Sequence, residues 1–299
     1  MQITLKAGMV TNDQEARVRY CHQVGFDAVQ EGSATIPDAV ERGFPTGEEL
    51  RRHRRPFDDA GIDVVALAPV RESRGWAEPE TESGRRDFEA FARTLDAAGD
   101  AAIRTVTLHP PLDGARTESE RADQFARNAD FYTRACARAR GAGVRLATHS
   151  PWPPEKGLWG EREFDSLFDA VPDPENGLIF CFGCLHMAGD DVIRATRPLL
   201  DRIYFVHVRD VRMTHRPWAP GTDTEEVFLG DGEVRPDRCL RALQELGYDG
   251  PIWPEHLPKV EPERRQEIST AWAVGYLKSL LAPGSNPATP PAHEALHAR

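Results

Sequence analysis

Lysine is almost missing from this chain of 299 residues: Lys6, Lys156, Lys259 and Lys278 are the only four, and arginine supplies the rest of 37 basic side chains. Acidic residues outnumber them at 48, giving a formal net charge of −11. That balance argues against a grip on nucleic acid or anionic membrane by bulk electrostatics, and neither is an expected partner. Long apolar runs are missing too. No window approaches the roughly 20 apolar residues of a membrane span, and the N-terminal MQITLKAGMV has no basic segment ahead of an apolar stretch. A cytoplasmic protein is expected. The five cysteines, Cys21, Cys136, Cys181, Cys184 and Cys239, are odd in number and scattered, which excludes a simple disulfide framework and predicts reduced thiols.

What the chain does have is an alternation of short β-branched or apolar runs with longer stretches of helical periodicity. Candidate strands lie at 2–8, 27–32, 63–69, 104–110, 144–150, 178–183, 203–210 and 251–256. Amphipathic segments follow at 13–24, 46–60, 82–102, 119–142, 161–170, 189–201, 235–246 and 262–281. AGI at 60–62, GAGV at 141–144 and LGY at 246–248 supply the glycine that favours a helix C-terminus before the next strand. Eight strand-then-helix units predict an α/β fold, a single-domain (β/α)8 TIM barrel over residues 1–282. The remainder, 283–299, is rich in proline and small residues and is expected to be a disordered tail.

In such a barrel, chemistry sits at the C-terminal strand ends, and those ends here carry Glu31, His109, His149, Cys181, His207 with Asp210, and Glu255 with His256. Strand residues alternate between lumen and helix side. His149 shares a face with Ala147, Cys181 with Ile179, His207 with Phe205, and Glu255 with Trp253. Four successive strands thus offer one metal ligand each: two imidazoles, a thiolate and a carboxylate, a set suited to zinc, iron(II) or manganese. Taken singly, each has a plainer role, since a strand cysteine is ordinarily a small buried hydrophobe. Their joint occurrence at matching depth is hard to obtain from packing alone. The spacing of CFGC also suggests a redox dithiol, but thioredoxin-like pairs open a helix in a small βαβ unit. Cys184 either lines the pocket or fills space. The long segment after the seventh strand, RDVRMTHRPWAPGTDTEEV, reads as a functional loop whose Arg209, Arg212, His215 and Arg216 suit an anionic substrate. Trp152 and Trp159 are candidates to wall the mouth.

GLIFCFG, DRIYFVHVRDV and LGDGEVRPDRCLRALQELGYDGPIWPEH together resemble the mannonate dehydratases of the xylose-isomerase-like barrel superfamily, over roughly residues 140–281. The resemblance implies one catalytic divalent ion, manganese first and iron(II), cobalt or zinc as alternatives, held by His149, Cys181, His207 and Glu255. Glutamate stands here where that family has aspartate, and the segment LPKVEPERRQ leaves no room for the family's tyrosine-bearing insert. The implied reaction removes water from an aldonic acid to give a 2-keto-3-deoxy acid. His256 is the candidate proton-transfer group, with His215 or His109 as the second. Arg209 or Arg212 would pair with the substrate carboxylate, and Glu31 and Trp152 complete the expected substrate contacts. A homo-oligomer is the expected assembly. Three other readings stand beside this one: a metal-dependent sugar isomerase or epimerase, a non-enzymatic sugar or metal binder, and a DNA-repair nuclease. The acidic balance and the shortage of further ligands weigh against the last.

Overall fold

The computed structural model describes residues 1–151, 153, 156–214, 224–260 and 266–282. Its strands are β1 (Gln2–Lys6), β2 (Ala28–Gly32), β3 (Asp63–Ala68), β4 (Thr105–Leu108), β5 (Arg145–Thr148), β6 (Asn176–Cys181) and β7 (Ile203–Val208). A hairpin of β8 (Val211–Met213) and β9 (Thr224–Glu226) follows, then β10 (Pro251–Pro254). Strands β1 to β7 and β10 are parallel and close into a barrel in which β10 pairs with both β7 and β1. The expected eight-stranded barrel is therefore the fold, and the expected tail at 283–299 lies outside the described residues.

Helices α1 (Gln14–Val24), α2 (Pro37–Arg42), α3 (Gly47–Asp59), α4 (Glu82–Asp100), α5 (Glu118–Ala142), α6 (Glu161–Ala170), α7 (Phe182–Ala188), α8 (Val192–Leu199), α9 (Pro236–Glu245) and α10 (Gln266–Leu281) surround it. Their ends follow local chemistry. Thr46 with Glu49 opens α3 and Thr117 with Glu120 opens α5 by reciprocal capping, each satisfying two backbone N–H groups. Gly143 closes α5 at φ 70°, a left-handed conformation that a side chain would strain.

Two of these helices escape the sequence pattern. The turn α2 is short, and α7 starts immediately after Cys181, where the unbroken apolar run to Gly183 reads as more strand. Strand β6 in turn begins earlier than expected, at Asn176, whose side chain donates to the Val171 carbonyl at 3.0 Å.

Alternation sorts the barrel into two layers. Leu5, Val29, Leu67, Val106, Leu146 and Phe180 face the helices in the main apolar cluster. Full burial of each such side chain contributes about 1.5–3 kcal/mol. Ala66, Ala147, Ile179, Phe205 and Trp253 form a separate cluster inside the lumen, and the last four of them are the residues that share faces with the four candidate ligands. This plug floors the mouth and keeps the ligand layer at one end.

Candidate metal centre

Strand register brings the four donors together. Cys181 lies level with His207 across the β6–β7 ladder. His149 and Glu255 stand just past the ends of β5 and β10, yet their backbone N–H groups still donate to the carbonyls of Leu108 and Val208, at 2.8 and 2.9 Å. The ladder thus fixes all four backbones. One ligand atom from each of His149, Cys181, His207 and Glu255 lies within 4.8 Å of every other, and all four residues are buried.

Glu255 Oε2 is the hub. It lies 3.2 Å from His207 Nδ1, 3.5 Å from Cys181 Sγ and 3.9 Å from His149 Nε2. Bonds of about 2.0–2.3 Å to a tetrahedral cation would place donors roughly 3.3–3.7 Å apart, so little movement is needed. Two details indicate that the donors fit a cation and not merely one another. His149 Nδ1 is committed to the Ser150 carbonyl at 2.7 Å, leaving Nε2 to face the centre. His207 is 3% exposed, yet neither ring nitrogen makes a hydrogen bond of acceptable angle; its Nδ1 is close to Glu255 but misdirected. An imidazole stripped of water and left without a partner is costly unless something else occupies its lone pair.

Protonation agrees. Burial drives His149 well below, and His207 below, the ordinary histidine range, so both are neutral donors at neutral pH. Burial alone would raise Glu255, but the surrounding imidazoles of His207, His149 and His256 hold it well below the usual carboxylate range. Burial, reinforced by neighbouring Cys184, pushes the Cys181 thiol well up, so cation binding there must displace a proton.

A sequence profile described as xylose isomerase-like TIM barrel matches residues 18–276. The chain belongs to that family. Among curated relatives, the mannonate dehydratase of Chromohalobacter salexigens is 34% identical over 113 residues, covering 35% of this chain and 28% of that protein. That of Saccharophagus degradans is 35% identical over 146 residues, covering 42% and 36%. The chain thus spans about a third of the length of these two relatives. Mannonate dehydratase 2 of Halalkalibacterium halodurans matches more fully, 22% identical over 263 residues, 79% of this chain and 74% of that one. Among solved structures, mannonate dehydratase from Streptococcus suis superposes with a TM-score of 0.72 at 16% identity, covering 100% of this chain and 99% of that one. D-psicose 3-epimerase from Clostridium cellulolyticum gives 0.71 at 11% identity, with 94% and 99% covered. A zinc-bearing protein named IolI gives 0.72 at 17%, with 94% and 98% covered. At such identities the structures establish the shared fold.

Around the donors, this xylose isomerase-like barrel places two further histidines on opposite flanks. His109, after β4, stacks edge-on with His149 at 5.1 Å between ring centroids, and its Nδ1 faces Glu72 Oε2 at 3.0 Å. His256, after β10, lies 3.6 Å from both Glu255 Oε1 and Glu226 Oε1. Its φ of 52° is left-handed, a conformation that costs a non-glycine residue about 1–3 kcal/mol and turns the side chain toward the mouth. Burial lowers His256 to about 4, so its ring is neutral at neutral pH.

Three expected substrate contacts already have ion-pair partners in the structure. Glu31 sits on the helix-facing side of β2, because its neighbour Gln30 takes the lumen position and donates to Thr107 Oγ1 at 2.8 Å. Its carboxylate is held by Arg17 Nη2 at 2.8 Å and His53 Nε2 at 2.7 Å, in a buried knot between barrel and helices. Arg209 is wholly buried, and its fork closes on the Glu226 carboxylate from the hairpin, so it is not free for a substrate acid. Arg212 is exposed on β8, paired with Glu225 across the hairpin at 2.8 Å. His215 and Trp152 lie outside the described residues. Trp159 is 7% exposed, with its backbone N–H donating to Ser150 Oγ at 2.7 Å, and it anchors the loop. Asp210 accepts from the N–H groups of Val211, Gly230, Gly232 and Val234, which makes it the clamp of the 229–234 turn.

Lys6 and Glu72 are mouth residues absent from the sequence expectations. Lys6 ends β1 on the lumen face, its Nζ 4.9 Å over the Trp253 ring. No carboxylate among the described residues forms an ion pair with it. Alternation would have found it, since Ile3 and Leu5 face the helices and leave Thr4 and Lys6 inward. Glu72 lies in the loop after β3, where no periodicity marks it.

Proposed function

We propose that the chain is a metal-dependent hydro-lyase that removes water from an aldonic acid, with D-mannonate as the first substrate to try. The convergence of His149, Cys181, His207 and Glu255 between two neutral or pair-bound histidines is the observation that carries this reading. The names of the curated relatives support it. A small-molecule sugar acid is the substrate class, and the donor set accommodates manganese, iron(II), cobalt or zinc.

A divalent cation held there would act as a Lewis acid toward the substrate's carboxylate and adjacent hydroxyl. Lys6 replaces the two arginines as the charge that meets the far carboxylate oxygen. His256 accepts the proton from the carbon beside the carboxylate. His109, whose Nδ1 is fixed by Glu72, presents Nε2 to protonate the hydroxyl that leaves the next carbon as water. The resulting enol tautomerises to the 2-keto-3-deoxy acid.

The flanking positions of His109 and His256 also serve a second reading, sugar isomerisation or epimerisation, in which protons are exchanged without loss of water. The epimerase of the same fold gives that alternative its weight. Metal-loaded protein incubated with D-mannonate should form a 2-keto-3-deoxy acid. Absence of product with manganese, iron(II), cobalt and zinc, beside epimerisation of a neutral ketose, would replace the first reading with the second.

A further inference from the structure

Cys184 is left without a part in this chemistry, and although it is buried in the main apolar cluster, its sulfur lies beside two polar groups, His149 and Arg209. We propose that Cys184 is a second sulfur ligand of the same centre, so that two sulfurs, two imidazoles and a carboxylate select zinc or iron(II) over manganese; this rests on the metal-centre reading above.

Helix α7 begins directly after Cys181, which serves as its N-cap, so Cys184 falls in the first turn and swings back over the end of β6. A continued strand would have carried it away. Its Sγ lies 3.9 Å from His149 Nε2, the nitrogen left free by the bond from Nδ1 to Ser150. On the other side, Arg209 Nη1 points at the Cys184 sulfur from 3.7 Å while its remaining nitrogens are held by Glu226. Gly183 makes this possible, since a Cβ there would stand 2.7 Å from Arg209 Cδ. An N–H donor aimed at a sulfur is the kind of outer contact that orients a metal ligand. Cys239, by contrast, simply donates to the Val234 carbonyl at 3.4 Å. The unpartnered nitrogens of buried His207 supply the independent sign that a cation is wanted at this point. Thiolate ligands favour zinc and iron over manganese, which prefers oxygen donors.

Cobalt(II) substitution tests this without reference to turnover, because sulfur-to-cobalt charge-transfer absorption in the near ultraviolet scales with the number of bound thiolates. The full chain loaded with one cobalt should lose about half of this band in Cys184→Ser, about half in Cys181→Ser, and all of it in the double variant. The preference for zinc over manganese should fall about 10- to 100-fold in Cys184→Ser. X-ray absorption on the zinc-loaded wild-type chain needs no substitution and should count two sulfurs per zinc. A Cys184→Ser protein with the full wild-type band, or one sulfur per zinc, would overturn the proposal while leaving the metal centre standing. Wild-type protein that takes up no cobalt would remove the metal centre and this inference together.

Discussion

On β6 and β7 the inward positions at the mouth hold Cys181 and His207, whereas near the end of β2 the acidic Glu31 points outward and is locked to Arg17 and His53. Both regions bury ionisable groups at strand ends. The C-terminal half turns its donors toward one point and leaves both ring nitrogens of His207 without a hydrogen bond, whereas in the N-terminal half Glu31 Oε2 is met by Arg17 and His53 and only Glu31 Oε1 and Arg17 Nε lack a partner. Burial alone therefore does not mark a reactive site; a wholly unpartnered ring among converging donors does. The half that lacks metal donors still contributes Lys6, Glu72 and His109 to the rim.

This contrast is breakable. The largest effect is expected from Glu255→Ala, which removes the hub of the donor set and should lower turnover by more than about 100-fold while leaving a folded barrel, as read by kinetics beside circular dichroism. Arg17→Met should do the reverse: unpairing the buried Glu31 should cost about 3–5 kcal/mol in urea denaturation, with metal content per folded chain unchanged. If Arg17→Met instead emptied the metal site, the two halves would not be separable as described.

Lys6→Ala should raise KM for a sugar acid about 10- to 100-fold, the range set by losing one charged hydrogen bond of about 1.5–3 kcal/mol, and leave the affinity for a neutral sugar unchanged. Equal weakening for both ligands would assign Lys6 to packing on Trp253.

The smallest effect lies among the cysteines remote from the mouth. Burial raises Cys21, Cys136 and Cys239 from 9.0 to about 12. The folded chain keeps protons that the unfolded chain releases, so the stability linked to these thiols is complete below pH 9.0 and is lost as pH rises toward about 12. Thermal unfolding followed from pH 8 to 11 should show Tm falling, and less so in a Cys136→Ala chain relative to its own neutral value.

The barrel was legible because eight amphipathic units repeat, and the four donors because alternation is strict within short strands. Glu31 was misplaced for want of the β2 phase, which Gln30 sets by reaching Thr107 across the lumen. Arg209 looked like a substrate contact because nothing in its own stretch shows that the hairpin folds Glu226 back onto it. The start of α7 was hidden by an apolar run that serves strand and helix equally well, and with it the position of Cys184.

Elemental analysis of protein purified without chelators, beside His207→Ala prepared identically, goes most directly to the claim that these donors hold one cation. One divalent ion per wild-type chain and almost none in the variant is the predicted result. Full metal retention by His207→Ala, or none in the wild-type chain after exposure to manganese, iron(II), cobalt and zinc, would contradict it.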